Sequence, residues 1–247
     1  MTAAVVIPAR FASTRLPGKP LLNATGKFLV QHVYERAVQA AVGPVVVATD
    51  DIRILDAVRA FGGQAVMTRG DHPSGTDRIA EVAANLKADV IVNLQGDEPQ
   101  FDPAGVQLLL KMLADDPGAG MSTLATPVKS LADFHSPNVV KAVRAAGGRA
   151  LYFSRSPIPF ARDAEPAIPS DQFLHHLGVY AYRRDVLLKL AATPPHPLEQ
   201  LEKLEQLRAL AHGIPIQLGV IPTAHRGVDT PEDYAAFVAG VREVARG

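Results

Sequence analysis

Arg10, Arg15 and Lys19 fall close together in the segment ARFASTRLPGKP, and Lys27 follows. No Asp or Glu precedes Glu35, so the first 34 residues carry +4 in a chain whose 25 Lys and Arg balance 25 Asp and Glu. Such a local excess calls for an anion. Lys brings a point charge and Arg a planar fork of donors, a pairing that suits a triphosphate. Pro17, Gly18 and Pro20 exclude a helix here, so the cations sit on a loop. Directly ahead of them, 3–7 reads as a buried strand, and in doubly wound sheets ligands bind beyond the carboxyl ends of strands. The plain alternative is a solvated basic loop. The loop is neither a Walker loop nor a GxGxxG turn, which argues against the commonest nucleotide signatures and against a doubly wound dehydrogenase.

A second segment, VIVNLQGDEP, ends an apolar strand in Gln95, Gly96, Asp97, Glu98 and Pro99. Acids at that end of a strand face the same crevice. Either can serve Mg²⁺, which takes only one or two protein carboxylates and fills its other positions with water and phosphate oxygens. Asp97 follows a glycine that permits close backbone approach, whereas Glu98 precedes a proline; charge alone does not choose between them, nor between a ligand and a structural turn acid. Asp229, in GVDTP, reads either as an acid at a helix N-terminus or as a second metal ligand, and the local pattern favours the helix. In DHPSGTDR, Ser74, Gly75 and Thr76 precede a helix. Their amides and hydroxyls can grip a ligand, or simply cap.

The elements that must position these residues follow from the apolar pattern. Short β-branched runs at 3–7, 45–49, 64–67 and 90–94 alternate with helical patterns at 28–41, 52–61 and 78–86, as in a parallel sheet wrapped by helices. From 120 onward the pattern changes to longer strands at 120–128, 139–145, 149–153 and 173–182, predicting an inserted antiparallel layer. The stretch 154–170 holds Pro157, Pro159, Pro166 and Pro169 and is predicted to be an ordered, irregular loop that can cover a site. Leucines at 198, 201, 204 and 207 predict one helix over 198–211, buried on a wide face. Thr230, Pro231, Glu232 and Asp233 open a closing helix. The expectation is one domain over 1–247, made of an α/β part over 1–120, the inserted layer within 121–220 and the closing segment 221–247.

At 247 residues with 47% hydrophobic and 20% charged, the chain can bury a full core. Its neutral balance suggests neither nucleic acid nor membrane as partner. The absence of cysteine excludes disulfides and thiolate chemistry and suits a reducing compartment, so a soluble, cytoplasmic protein is expected.

Taken together, VVIPARFASTRLPGKPL, VVVATDD, MTRGDHPSGTDRIAEV, VNLQGDEP, YFSRSPIPF, HHLGVYAYR, LEKLEQLR and GVDTPEDY resemble, in order and spacing, the 3-deoxy-manno-octulosonate cytidylyltransferases. The resemblance runs from the first strand to the last helix. It implies a nucleotide-diphospho-sugar transferase-like α/β fold and transfer of a cytidylyl group from CTP to Kdo with Mg²⁺, the anomeric hydroxyl attacking the α-phosphorus in line with departing pyrophosphate. By the same resemblance Arg10, Arg15 and Lys19 hold the triphosphate. Ala9, Ser74, Gly75 and Gln95 recognise the cytidine, and Asp97 and Asp229 bind the metal. Arg155, His176, Tyr180, Glu205 and Gln206 meet the sugar. The resemblance also implies a homodimer formed through the inserted second half and a role in lipopolysaccharide assembly, with 1–120 mainly CTP-binding, 121–220 mainly sugar-binding and dimerising, and 221–247 carrying the metal Asp and the last helix. Phe28 and Phe160 depart from the family pattern. Against these roles stand plain ones: Arg155 pairing with Asp163 or Glu165, His176 in the core, Glu205 as a surface acid near Arg208. A sister enzyme for an amino variant of Kdo or a sialic acid is the nearest rival, and a catalytically silent binding module is another.

Overall fold

The computed structural model describes all residues except 13, 14, 73, 224–226 and 245–247, and the side chain of Val244. Met1–Val106 with His225–Gly247 form one compact unit, and Gln107–Ala224 form a second.

In the first unit, β-branched runs give parallel strands β1 (Ala3–Ala9), β2 (Val45–Thr49), β3 (Ala65–Met67) and β4 (Val90–Asn93), with β1 between β2 and β4 and β3 outside β2. All five residues of β2 and all four of β4 are buried. β3 departs from the expected double burial: Val66 and Met67 are exposed, because an outer strand has one neighbour to cover it. Helices α1 (Leu29–Gln39), α2 (Ile52–Ala60) and α3 (Gly75–Ala83) lie between the strands in sequence, with α3 three residues earlier than predicted because Ser74 caps it by accepting from the Asp77 amide. Beyond α1, Ala41 adopts a left-handed φ of 54°. Glycine there removes the Cβ penalty, so Ala41→Gly is expected to stabilise the protein by about 0.5–1 kcal/mol, measured by urea unfolding.

Helix α4 (Pro103–Asp115) and its apolar residues were not anticipated. In the second unit, β5 (Met121–Pro127) pairs antiparallel with β8 (Leu174–Arg183) and parallel with β9 (Ile216–Val220), a strand the sequence reading leaves out. β6 (Lys141–Arg144) pairs antiparallel with β7 (Ala150–Ser154) and with the start of β8, which is the expected antiparallel layer. The short α5 (Leu131–His135) and the helix α6 (Arg184–Ala192) complete this part. The proline-rich loop is held by Ala161 and Ile168 against Val128, Phe134 and Phe173.

The single leucine helix is two helices, α7 (Pro197–Glu202) and α8 (Gln206–Ala211), broken at Lys203, whose φ is 53°. Leu201 is 80% exposed and Leu207 is not exposed at all, so the wide buried face does not exist. A buried pair crosses the break: the Arg208 guanidinium donates to both oxygens of Glu199 and to the Leu190 and Thr193 carbonyls. The chain closes with α9 (Pro231–Val244), as Thr230 and Asp233 form the expected cap. No helix among the described residues is long and apolar enough to cross a membrane.

Candidate active site

Pro8, one residue from the end of β1, is where the first unit's binding segments converge. A Cβ on Gly96 would lie 2.7 Å from the Pro8 carbonyl oxygen, so only glycine lets the strand end after β4 come this close. Gly75, at the start of α3, faces the Pro8 ring. Ala9, Gly75 and the segment Gln95–Gly96 therefore gather at the carboxyl end of β1, with Ser74 capping beside them. Arg10 and Arg15 are exposed.

The basic loop is fixed at both ends. The Gly18 amide donates to the Phe11 carbonyl, the Phe11 ring lies against Gly18, and the Arg53 guanidinium sits 3.4 Å above that ring. Gly18 has a φ of 67°, a conformation natural to glycine. Leu16 is buried with Leu29, Val228, Phe237 and Val238, which draws the loop to the start of α9. The Val228 amide donates to the Asp97 carbonyl at 2.8 Å, which draws that same segment to the end of β4.

These contacts bring three residues far apart in sequence to one point. Lys19 Nζ donates to Asp97 Oδ2 at 2.8 Å and to Asp229 Oδ1 at 3.1 Å, and Arg15 Nη2 lies 3.2 Å from Asp229 Oδ2. Burial disfavours the ammonium, but Asp97 and then Asp229 outweigh it and hold the Lys19 pKa above its ordinary value. Glu98 turns elsewhere, toward Gly227. Burial first, then Asp97 and Asp229, push its carboxyl up to about 8. Asp229 is not the helix cap; Thr230 and Asp233 take that role, leaving the Asp229 carboxylate for Lys19 and Arg15.

Arg78 was missed by sequence reasoning. Only 1% exposed, it donates to Asp50 Oδ2, Thr68 Oγ1 and the Arg69 carbonyl, tying α3 to the ends of β2 and β3. An arginine on the apolar face of a helix, paired with an acid just after a strand, is the signal that could have found it.

Arg155, His176, Tyr180, Glu205 and Gln206 all belong to the second unit. Arg155 donates to the carbonyls of Glu202 and Pro137 and not to Asp163, which pairs with Arg162. Glu205 is exposed, and Arg208 pairs with Glu199. Gln206 is buried, and its Nε2 has no hydrogen-bond partner among the described residues. Tyr180 is buried, and burial, then Tyr182 and Glu205, push its phenol well above the usual range. His176 meets Thr123 Oγ1 at 3.0 Å, and its ring packs against Phe153 and Tyr180.

Burial, then His175, lowers the His176 pKa from 6.5 to about 3. The unfolded chain takes up this proton as pH falls through the ordinary value, while the folded chain refuses it until far lower. Stability is therefore full above the unfolded pKa and is lost on acidification toward the folded one. His176→Gln is expected to lose about 2 kcal/mol less than the parent between about pH 7.5 and about pH 5, measured by denaturant unfolding at both values.

A cytidylyltransferase family model matches residues 4–216. A 3-deoxy-manno-octulosonate cytidylyltransferase of Syntrophobacter fumaroxidans is 51% identical over 246 residues, covering 98% of each chain. One of Geobacter sulfurreducens is 52% identical over 243 residues, covering 94% of this chain and 96% of the other. The solved structure of a CMP:2-keto-3-deoxy-manno-octonic acid synthetase complexed with CTP superposes with a TM-score of 0.93 at 49% identity, covering 98% of this chain and 99% of that one. The chain belongs to the cytidylyltransferase family, alongside the 3-deoxy-manno-octulosonate cytidylyltransferases, and is a nucleotidyltransferase.

Proposed function

We propose that the chain joins CMP to Kdo, with CTP as donor, pyrophosphate as leaving group and Mg²⁺ as cofactor. The observation that carries this reading is the meeting of Lys19 with Asp97 and Asp229 beside the basic loop. Two carboxylate oxygens within reach of one ammonium make a cation site of hard oxygen donors. Among the described residues no cluster of three or more His, Cys, Asp or Glu forms such a site. Two carboxylates suffice for Mg²⁺, whose remaining ligands are water and phosphate oxygens. When bound, the ion supplies charge neutralisation to the triphosphate and to the departing pyrophosphate.

Arg10, Arg15 and Lys19 bind the triphosphate and orient its α-phosphorus, and Ala9, Ser74, Gly75 and Gln95 hold the cytidine. Arg155 meets the carboxylate of Kdo; His176, Tyr180, Glu205 and Gln206 shape the rest of its site. The partnerless Nε2 of Gln206 supports a ligand hydrogen bond there. The anomeric oxygen forms a bond to the α-phosphorus as the bond to the bridging oxygen of pyrophosphate breaks, and its proton passes to solvent. Positioning and charge do the work, and no covalent enzyme intermediate is needed.

The same reading carries a homodimer, supported by the exposed Leu151, Phe160 and Leu201 of the second unit. It also carries a cytoplasmic site of action and supply of the product to lipopolysaccharide assembly.

The test is pyrophosphate release by the purified protein with Mg²⁺ and each nucleoside triphosphate in turn, with and without Kdo. Release only with CTP and Kdo together is the expected result. CTP binding without Kdo-dependent release would move the assignment to another acidic sugar, and no triphosphate binding would overturn the loop argument.

A further inference from the structure

Lys141 is a lysine with no exposed surface, and nothing in the proposed chemistry uses it. Its ammonium donates to three main-chain carbonyls, Ser136 at 2.8 Å, Val139 at 2.7 Å and Arg155 at 2.6 Å. All three ammonium hydrogens are thereby used. A buried charge is costly, and an apolar side chain of similar size would fill the same space more cheaply. What the ammonium adds is geometry: it ties the turn ahead of β6 to the residue that follows β7.

That residue is Arg155, and its other bonds continue the same construction. Its amide donates to Glu202 Oε2 at 2.9 Å, beside the bond from Ser154 Oγ to Glu202 Oε1 at 2.6 Å. Its side chain donates through Nε to the Glu202 carbonyl at 2.6 Å and through Nη1 to the Pro137 carbonyl at 2.8 Å. The main chain of Arg155 is thus held from one side by Lys141 and from the other by Glu202, and its guanidinium is aimed by the turn at 137 and the end of α7. A guanidinium carries about five N–H donors, so donors remain for a ligand.

The charges around this anchor do not cancel. Lys141 and Arg155 are two cations within electrostatic reach of each other and of one carboxylate, Glu202. The remaining donors of Arg155 suit a carboxylate ligand.

We propose that Lys141 is a positioning residue that fixes Arg155 for the carboxylate of the acidic sugar. This rests on the reading above that Arg155 meets that carboxylate. The test is steady-state pyrophosphate release with Mg²⁺, varying CTP and Kdo separately, for Lys141→Met, Glu202→Gln and Arg155→Ala. Lys141→Met is expected to raise KM for Kdo about tenfold, the loss of a bond's worth of alignment, with KM for CTP changed less than about twofold. Glu202→Gln leaves the buried lysine in place and is expected to raise KM for Kdo in the same selective way, which keeps the test open should Lys141→Met fail to fold. A fall in kcat and Tm with KM for Kdo unchanged in a folded Lys141→Met would make the lysine merely structural and overturn the proposal. Should Lys141→Met fail to fold, an unchanged KM for Kdo in Glu202→Gln would overturn it. If Arg155→Ala itself leaves KM for Kdo unchanged, the assignment of Arg155 fails first.

Discussion

Asp97→Asn is expected to lower kcat for CTP-dependent pyrophosphate release by about 10²–10³-fold while the protein stays folded. The substitution keeps the shape and one oxygen, so the Val228 amide still has the Asp97 carbonyl to bond and the segment after β4 keeps its place. What disappears is the negative charge that faces Lys19 at 2.8 Å and, in the proposed complex, the cation. In the proposed complex that charge would hold the cation that neutralises the triphosphate as pyrophosphate leaves, so its loss is expected to fall on the transition state and not merely on binding. Two measurements check this: kcat at saturating CTP and Kdo, and the Mg²⁺ concentration for half activation, which is expected to rise. Near-normal turnover by a folded variant would remove Asp97 from the metal pair.

The second large effect belongs to Lys19. Lys19→Met keeps the length of the side chain and removes the ammonium, and kcat/KM for CTP is expected to fall by about 10²-fold, with kcat itself reduced. The same variant has a structural signature. Lys19 is the shared counter-charge of Asp97 and Asp229, so without it two carboxylates face each other with, among the described residues, the exposed Arg15 paired to Asp229. Its Tm in metal-free buffer is expected to drop below that of the parent, and added Mg²⁺ is expected to recover most of the difference, since an ion that binds only the folded state stabilises it. Unchanged kinetics would sink the triphosphate loop. An unchanged response of Tm to Mg²⁺ would separate Lys19 from the metal site.

Much of this molecule is legible in one dimension because its decisive signals are local. Short apolar β-branched runs can be little else than buried strands, and Pro17, Gly18 and Pro20 leave a loop as the only outcome for the cations between them. Where the reading slips, a competing force is identifiable. The leucines at 198, 201, 204 and 207 suggest one helix, but the Arg208–Glu199 pair and the left-handed Lys203 fold the segment back on itself. β3 has the composition of a buried strand, yet its place outside β2 leaves two of its three residues exposed. A strand's neighbours are set by the whole chain, and although Glu199 and Arg208 stand only nine residues apart, the leucine spacing carries no sign that they pair.

The site divides along the same line. By itself the sequence determined which residue types are available: a cationic loop after the first strand, acids after a buried strand and before the last helix, and an overall pattern close to one enzyme family. Charge alone left Asp97 and Glu98 open, and the local pattern left Asp229 looking more like a helix acid than a ligand; the family resemblance was what named Asp97 and Asp229. Only the tertiary structure decided where these side chains lie. Packing of Leu16 against Val228 and α9, and the bond from the Val228 amide to Asp97, carry Lys19 to within 3.1 Å of two carboxylates that lie 78 and 210 residues away in the chain. The same packing places Glu98 beside Gly227, and the Thr230–Asp233 cap releases Asp229. The physical reason is that charge and burial depend on distance through space, whereas sequence records only distance along the chain.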